Sequence, residues 1–117
     1  MMRSPLAPAA LTALVLVLAG CSPHPGAGEW EAVSEDAPFS RLKAHFKGWA
    51  DLYRPEAEEA AYHCFWGARG ERTIALTCTP ADDTEAELRF DLVVEEAGRA
   101  RLVRNEQLVA RFRRMPR

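Results

Sequence analysis

The stretch YHCFWGARGERTIALTCT, residues 62–79, decides how this 117-residue chain folds. Apolar positions alternate with other residues in its first half, and they alternate again after a glycine-containing turn. If the two halves pair as an antiparallel hairpin with Cys64 opposite Cys78, then Trp66 falls opposite Leu76. The cysteine pair and the apolar pattern require the same register, because a one-residue slip would break both.

The same alternation continues towards the C terminus and predicts three further strands. The turns between them fall at residues 95–98 and at Asn105-Glu106. A competing interpretation makes residues 106–114 a terminal helix. On the strand interpretation, nine apolar side chains face inward: Leu88, Phe90, Leu92, Val94, Ala100, Leu102, Leu108, Ala110 and Phe112.

Upstream of the hairpin, residues 38–53 favour an amphipathic helix. Spacings of three and four separate five large apolar residues, which would form one stripe: Phe39, Leu42, Phe46, Trp49 and Tyr53. Asp36 can cap the start, and Arg54-Pro55 would end the helix. We therefore predict an α+β domain, with one N-terminal amphipathic helix packed on an antiparallel meander of four to five strands and one disulfide.

The N terminus has the pattern of an export signal. Arg3 is followed by an uncharged stretch at residues 9–19, which is too short to span a bilayer as a helix. Leu18-Ala19-Gly20-Cys21 resembles the lipobox of bacterial lipoproteins. The resemblance implies cleavage after Gly20, a diacylglycerol thioether on Cys21 and a fatty acid such as palmitate on its amine. No further cofactor is expected.

The resemblance also implies a location in the cell envelope. Ser22, rather than Asp, follows the lipidated cysteine, which favours the periplasmic face of the outer membrane over the inner membrane. We divide the chain into a cleaved signal peptide at 1–20, a lipidated flexible tether at 21–37 and the folded domain at 38–117. Trp30, inside the predicted tether, would dock on the edge of the domain or lie near lipid headgroups.

With Cys21 used for lipid, two cysteines remain. An even pair in an exported domain indicates a disulfide, Cys64–Cys78. It would close a loop of about fifteen residues and contribute on the order of 3 kcal/mol.

Charge is unevenly distributed along the chain, although the formal net charge is only −2 and gives no reason to expect nucleic-acid binding. Acidic residues crowd positions 81–96 and arginines crowd 97–117, so the two blocks could neutralise each other across neighbouring strands. The outward positions of the sheet also form a candidate binding face for carboxylate or phosphate groups: His63, Phe65, Arg89, Arg99, Arg101, Arg111 and Arg113.

Nothing in the sequence indicates catalysis, and we predict a protein that is not an enzyme. Ser34 and Ser40 flank the predicted helix start, where capping is the ordinary role. No zinc site is expected, because His63 and Cys64 would point to opposite faces of a strand.

The leading hypothesis is a membrane-anchored envelope lipoprotein that acts by binding, accessory to an envelope assembly or to an anionic envelope component. A second is an inhibitor of a secreted hydrolase, because Tyr62-His63-Cys64 is similar to membrane-bound inhibitors of C-type lysozyme. Those inhibitors have a Ser-Gly-containing loop that plugs the enzyme cleft, and this chain has no such segment. A third is a structural helper in outer-membrane assembly.

Overall fold

The computed structural model of the protein describes residues 23–116, and this part of the chain is a closed barrel of eight antiparallel strands. Within it no helix forms, and so none is long and apolar enough to cross a membrane. The predicted signal peptide, lipidation site and sorting residue lie outside the described residues. The strands are β1 Gly28–Ala32, β2 Arg41–Ala44, β3 Trp49–Tyr53, β4 Tyr62–Ala68, β5 Thr73–Pro80, β6 Leu88–Val94, β7 Arg99–Arg104 and β8 Gln107–Arg114.

Each strand pairs with the next one along the chain, and β1 also pairs with β8. Closure satisfies the backbone donors and acceptors that an open sheet would leave at its edges. The short turns at 45–48, 69–72 and 95–98 lie at one end, together with residues 23–27; we call it the N-terminal end. The connections at 33–40, 54–61, 81–87 and 105–106 lie at the opposite end.

Apolar side chains fill the barrel interior. Trp30, Phe112 and six leucines or isoleucines on other strands are almost fully excluded from solvent. Small residues make room for the large ones, as a narrow barrel requires: Ala44, Ala50, Ala100 and Ala110. No polar or charged residue between 23 and 116 is buried, so hydrophobic burial provides the main stabilisation of the fold.

The α+β prediction is wrong, because residues 38–53 form a β-hairpin and no helix. Leu42 pairs with Leu52, and Ala44 pairs with Ala50, across a turn that contains Gly48 at φ +103°. All four pairing residues are buried, with a period of two. The three-and-four spacing was misleading because Phe46 and Trp49 are exposed rather than in the core.

The predicted tether at 21–37 contributes a strand to the barrel, so it is not flexible over its whole length. Trp30 is 0% exposed in β1, which excludes both positions that the sequence left open for it. Its indole Nε1–H donates to the carbonyl oxygen of Gly26 at 3.0 Å, and the Arg114 guanidinium lies 4.2 Å from its ring centroid. Residues 23–27 therefore pack across the N-terminal end of the barrel.

The central hairpin forms as predicted. β4 and β5 pair with Cys64 opposite Cys78 and with Trp66 opposite Leu76. The two cysteines form the disulfide. The register that the apolar alternation required is therefore confirmed.

The chain beyond residue 88 also alternates as predicted, with two exceptions. Leu88 is half-buried and Leu108 is 49% exposed, while the other seven predicted inward residues are buried. The pairing of β8 with β7 skips Val109, and this irregularity coincides with the outward position of Leu108. Residues 107–114 form strand β8, so the alternative of a terminal helix is excluded.

Candidate functional site

Four arginines project from one wall of the barrel, the outer face of β7 and β8. Arg99 lies directly opposite Arg113, and Arg101 lies directly opposite Arg111. Their chain neighbours inside the barrel are buried apolar residues, so the alternation that builds the core also aligns the four guanidinium groups outside it. We call these four residues the arginine face.

Two members of the arginine face have acidic partners. Arg113 Nε donates to Glu31 Oε1 at 2.8 Å, and Arg101 Nε donates to Glu95 Oε2 at 2.8 Å. Within residues 23–116, neither Arg99 nor Arg111 forms an ion pair or a side-chain hydrogen bond, and both are exposed. Two positive charges on the face therefore remain uncompensated.

A small hollow lies between these two arginines. Its volume is about 160 Å³, and Val33, Glu95 and the neighbouring interior residues of the two strands complete its lining. A guanidinium presents several N–H donors in a planar fork that matches a carboxylate or a phosphate. The hollow has room for one acidic group between the two uncompensated charges.

A larger cleft, which shares Val33 with the hollow, has a different character. Its volume is about 830 Å³, and the β1–β2 connection forms much of its wall. Glu31, Glu35 and Glu56 line it together with Arg41 and Arg113. Because acids and bases are mixed there, and because Arg113 already pairs with Glu31, this cleft presents no uniform charge to a ligand.

The other predicted members of the binding face lie elsewhere on the barrel. Arg89 is on β6 towards the opposite end, where it pairs with Glu87 at 3.4 Å. His63 and Phe65 are on β4, which in the closed strand order is separated from β7 by β5 and β6. The structure therefore brings Arg99, Arg101, Arg111 and Arg113 together and leaves the remaining three apart from them.

The predicted neutralisation between the acidic and basic blocks occurs in part. Arg101 pairs with Glu95, which joins the two blocks, but Arg113 pairs with Glu31 on β1 and Asp91 pairs with Arg69. The partner of each arginine depends on which strands are neighbours in the barrel. The sequence did not reveal that β1 and β8 are neighbours.

Exposed aromatic rings lie on the wall opposite the arginine face. Trp49 on β3 pairs with Phe65 on β4, and Phe46 lies in the adjoining β2–β3 turn. Their exposed fractions are 45%, 75% and 63%, respectively. We call these three residues the aromatic edge. Sequence reasoning missed it, because it assigned Phe46 and Trp49 to a helix core.

Next to the aromatic edge, two histidines share one carboxylate. Asp51 Oδ1 accepts from His63 Nδ1 at 2.9 Å, and Asp51 Oδ2 lies 3.3 Å from His45 Nε2. No group of three or more His, Cys, Asp or Glu side chains that could hold a metal ion occurs between residues 23 and 116.

The serines that the sequence placed at a helix start lie in loops. Ser34 Oγ accepts from the backbone N–H of Asp36 at 3.2 Å, and Ser40 Oγ donates to the carbonyl oxygen of Arg54 at 3.1 Å. Both hydroxyls are thus used to shape loops, although the predicted helix is absent.

We compared the chain with protein-family models, with curated proteins and with solved structures, and none of them matches.

Proposed function

We propose that this chain is a lipid-anchored binding protein of the bacterial cell envelope and that its arginine face holds an acidic group of an envelope component. The lipobox resemblance of Leu18-Ala19-Gly20-Cys21 supports the anchor. The observation that carries the binding proposal is the pair of uncompensated guanidiniums, Arg99 and Arg111, on either side of a hollow.

Cross-strand energetics favour an external partner at this position. Like charges directly opposite each other on neighbouring strands are destabilising. An ion pair at a solvent-exposed position contributes about 0–1 kcal/mol. An anion that bridges Arg99 and Arg111 supplies the negative charge that Glu31 and Glu95 do not, and it offsets the repulsion within both like-charge pairs.

The size of the hollow limits the ligand to a single acidic group at a time. Drug-sized ligands occupy pockets of about 300–1,000 Å³, and this hollow has about 160 Å³. A carboxylate or a phosphate that belongs to a larger molecule fits that volume. A protein held at a membrane by lipid needs only weak contacts of this kind, because anchoring raises its effective concentration near partners in the same envelope.

The test uses the mature lipidated protein in neutral detergent micelles, with a polyglutamate peptide and inorganic polyphosphate as probes. We expect binding that weakens as salt rises, because exposed charges are screened. Arg99→Gln/Arg111→Gln should lower the affinity about tenfold or more. Preference for polyglutamate would indicate an acidic protein partner, and preference for polyphosphate a phosphate-bearing component.

The matched control is Arg89→Gln/Arg104→Gln, which removes the same charge from exposed positions near the opposite end of the barrel. Its affinity should stay within about twofold of the wild type. An equal loss in both double variants would show that binding follows net charge, and the arginine-face proposal would then be rejected. Failure of the wild type to bind either probe would reject it as well.

A further inference from the structure

The aromatic edge is an unusual surface for the exterior of a small barrel. Trp49 and Phe65 are cross-strand partners, Phe46 lies in the adjoining β2–β3 turn, and all three are substantially exposed. Single exposed apolar residues are ordinary, but several exposed aromatic residues at one end of a sheet indicate a surface that contacts a membrane or a partner.

The aromatic edge lies beside the start of the described chain. The indole Nε1–H of Trp66 donates to the carbonyl oxygen of His45 at 2.8 Å, and its backbone N–H donates to the carbonyl oxygen of Gly48 at 2.8 Å. The His24 ring lies 6.1 Å from the Trp66 ring between centroids. Trp66 therefore connects the β2–β3 turn to the first residues of the barrel.

Those first residues are fixed in place rather than free to swing. His24 bonds through Nε2 to the carbonyl oxygen of Gly70 at 2.8 Å, and its Nδ1 accepts from the backbone N–H of Gly26 at 2.9 Å. Arg114 donates to the carbonyl oxygens of Pro25 and Ala27. The point at which the chain enters the barrel is thus set at the N-terminal end.

The distance from this point to the lipidation site is short. Cys21 precedes Pro23 by two positions, and two residues of extended chain span at most about 7 Å. A lipid on Cys21, which is part of the proposed function, would therefore hold the N-terminal end of the barrel at the headgroup layer, with no room for a long spacer.

We propose that the aromatic edge inserts into the headgroup layer of the bilayer that holds the acyl chains of Cys21. The indole of tryptophan favours that layer, because its apolar body and its N–H group suit the boundary with water. Phenylalanine side chains add apolar surface at the same depth. Lys47, exposed at the tip of the same turn, is placed to contact lipid phosphates. Asp51, the neighbouring acid, is covered by His45 and His63.

This contact also sets the orientation of the arginine face. β3 and β4 are opposite β7 and β8 in the closed strand order, because two strands separate the pairs on either side. With the aromatic edge against the bilayer, the arginine face lies on the other side of the barrel and is not covered by this contact. The lipid and the edge together give two points of attachment, which fixes an orientation that one flexible anchor would leave undefined.

The experiment uses the lipidated protein in vesicles of phosphatidylethanolamine and phosphatidylglycerol, with and without brominated acyl chains that quench nearby indoles. Trp30 is buried and Trp66 is half-buried, so Trp49 is the exposed reporter among the described residues. We expect brominated vesicles to reduce the emission, and we expect Trp49→Phe to abolish that reduction.

Phe46→Ser/Phe65→Ser keeps the reporter and removes its aromatic neighbours, and it should lower the quenched fraction about twofold or more. The control is Leu108→Ser, an exposed apolar residue at the opposite end of the barrel, which should leave quenching unchanged. Arg99→Gln/Arg111→Gln should also leave it unchanged.

Mass spectrometry of the N-terminal peptide separates the two proposals. A peptide without lipid on Cys21 would overturn both the proposed anchor and the docking of the edge. A lipidated protein whose Trp49 is not quenched, or whose quenching Leu108→Ser reduces equally, would overturn the docking alone and leave the arginine-face proposal intact.

Discussion

The β3–β4 wall and the β7–β8 wall have the same construction inside the barrel and opposite chemistry outside it. Buried Ala50, Leu52 and Cys64 fill the interior on one side, as Ala100 and Leu102 do on the other. The exterior of the first wall presents aromatic rings, and the exterior of the second presents guanidinium groups. Because successive side chains of a strand point to opposite faces, the exterior residues can change without altering the residues of the core.

Both exteriors also depart from what stability alone would favour. Phe65 is 75% exposed opposite Trp49, which leaves apolar surface in water. Arg99 lies opposite Arg113, which places like charges side by side. Natural sequences break local rules mainly where function requires it, and the two departures lie on the two surfaces for which we propose partners.

The largest effect we predict concerns the interior that the two walls share. Trp30→Ala should lower the free energy of unfolding by about 3–5 kcal/mol, because it removes the largest fully buried side chain. That is a large share of the 5–15 kcal/mol typical of a domain. Urea unfolding measures the loss, and both walls should unfold together.

Trp49→Ala is the matched control on the aromatic edge. Because Trp49 is 45% exposed, its removal should cost less than about 1 kcal/mol. If the two variants were equally destabilised, the assignment of Trp30 to the core and of Trp49 to the surface would be contradicted.

A smaller and more local effect is expected from the disulfide, which joins β4 of the β3–β4 wall to β5. Cys64→Ala/Cys78→Ala should lower the free energy of unfolding by about 3 kcal/mol, because the bridge closes a loop across a separation of 14 residues. Hydrogen exchange should accelerate more in β4 and β5 than in β7 and β8. If hydrogen exchange accelerated equally in all eight strands, the disulfide would not stabilise the β3–β4 wall more than the β7–β8 wall.

The sequence predicted the β4–β5 hairpin well because two independent constraints agreed. The alternation and the cysteine pair fixed one register, and that register is observed. For the hairpin of β2 and β3, the alternation depended on Ala44 and Ala50, which are weakly apolar. The larger rings of Phe46 and Trp49 dominated the pattern, although they lie outside. Gly48 within the predicted helix was the available indication of a turn.

The alternation of apolar residues within each strand could not predict that β1 and β8 pair to close the barrel. β1 has five residues, and its tryptophan lies in a segment rich in glycine and proline that is typical of a linker. Its partners, β2 and β8, are distant in sequence from each other. For the same reason the sequence identified the four arginines on β7 and β8 but could not predict that Glu31 of β1 would pair with Arg113.

The two walls also differ in the connection between their strands. Only residues 105–106 join β7 to β8, whereas residues 54–61 join β3 to β4. Asn105 and Glu106 both have positive φ, at 51° and 65°. Glu106→Gly should raise the free energy of unfolding by about 1 kcal/mol, because a left-handed conformation costs a residue with a Cβ about 1–2 kcal/mol and Asn-Gly is the favoured pair for this turn. Glu106→Ala retains the Cβ and should give no such gain. Thermal unfolding of the two variants would distinguish a backbone effect from loss of the charge.

The smallest effect bears most directly on the contrast between the walls. Arg99→Gln/Arg111→Gln should raise the free energy of unfolding by about 0.5 kcal/mol at low salt, because each change removes one charge from a like-charge cross-strand pair. The gain should fade as salt screens the remaining charges. The same variant is expected to lose affinity for polyglutamate or polyphosphate, so stability and binding should move in opposite directions.

Arg101→Gln/Arg113→Gln is the informative comparison, since those residues pair with Glu95 and Glu31 and their loss should not stabilise the barrel. Equal gains from both double variants would mean that net charge, rather than the two uncompensated guanidiniums, governs this wall.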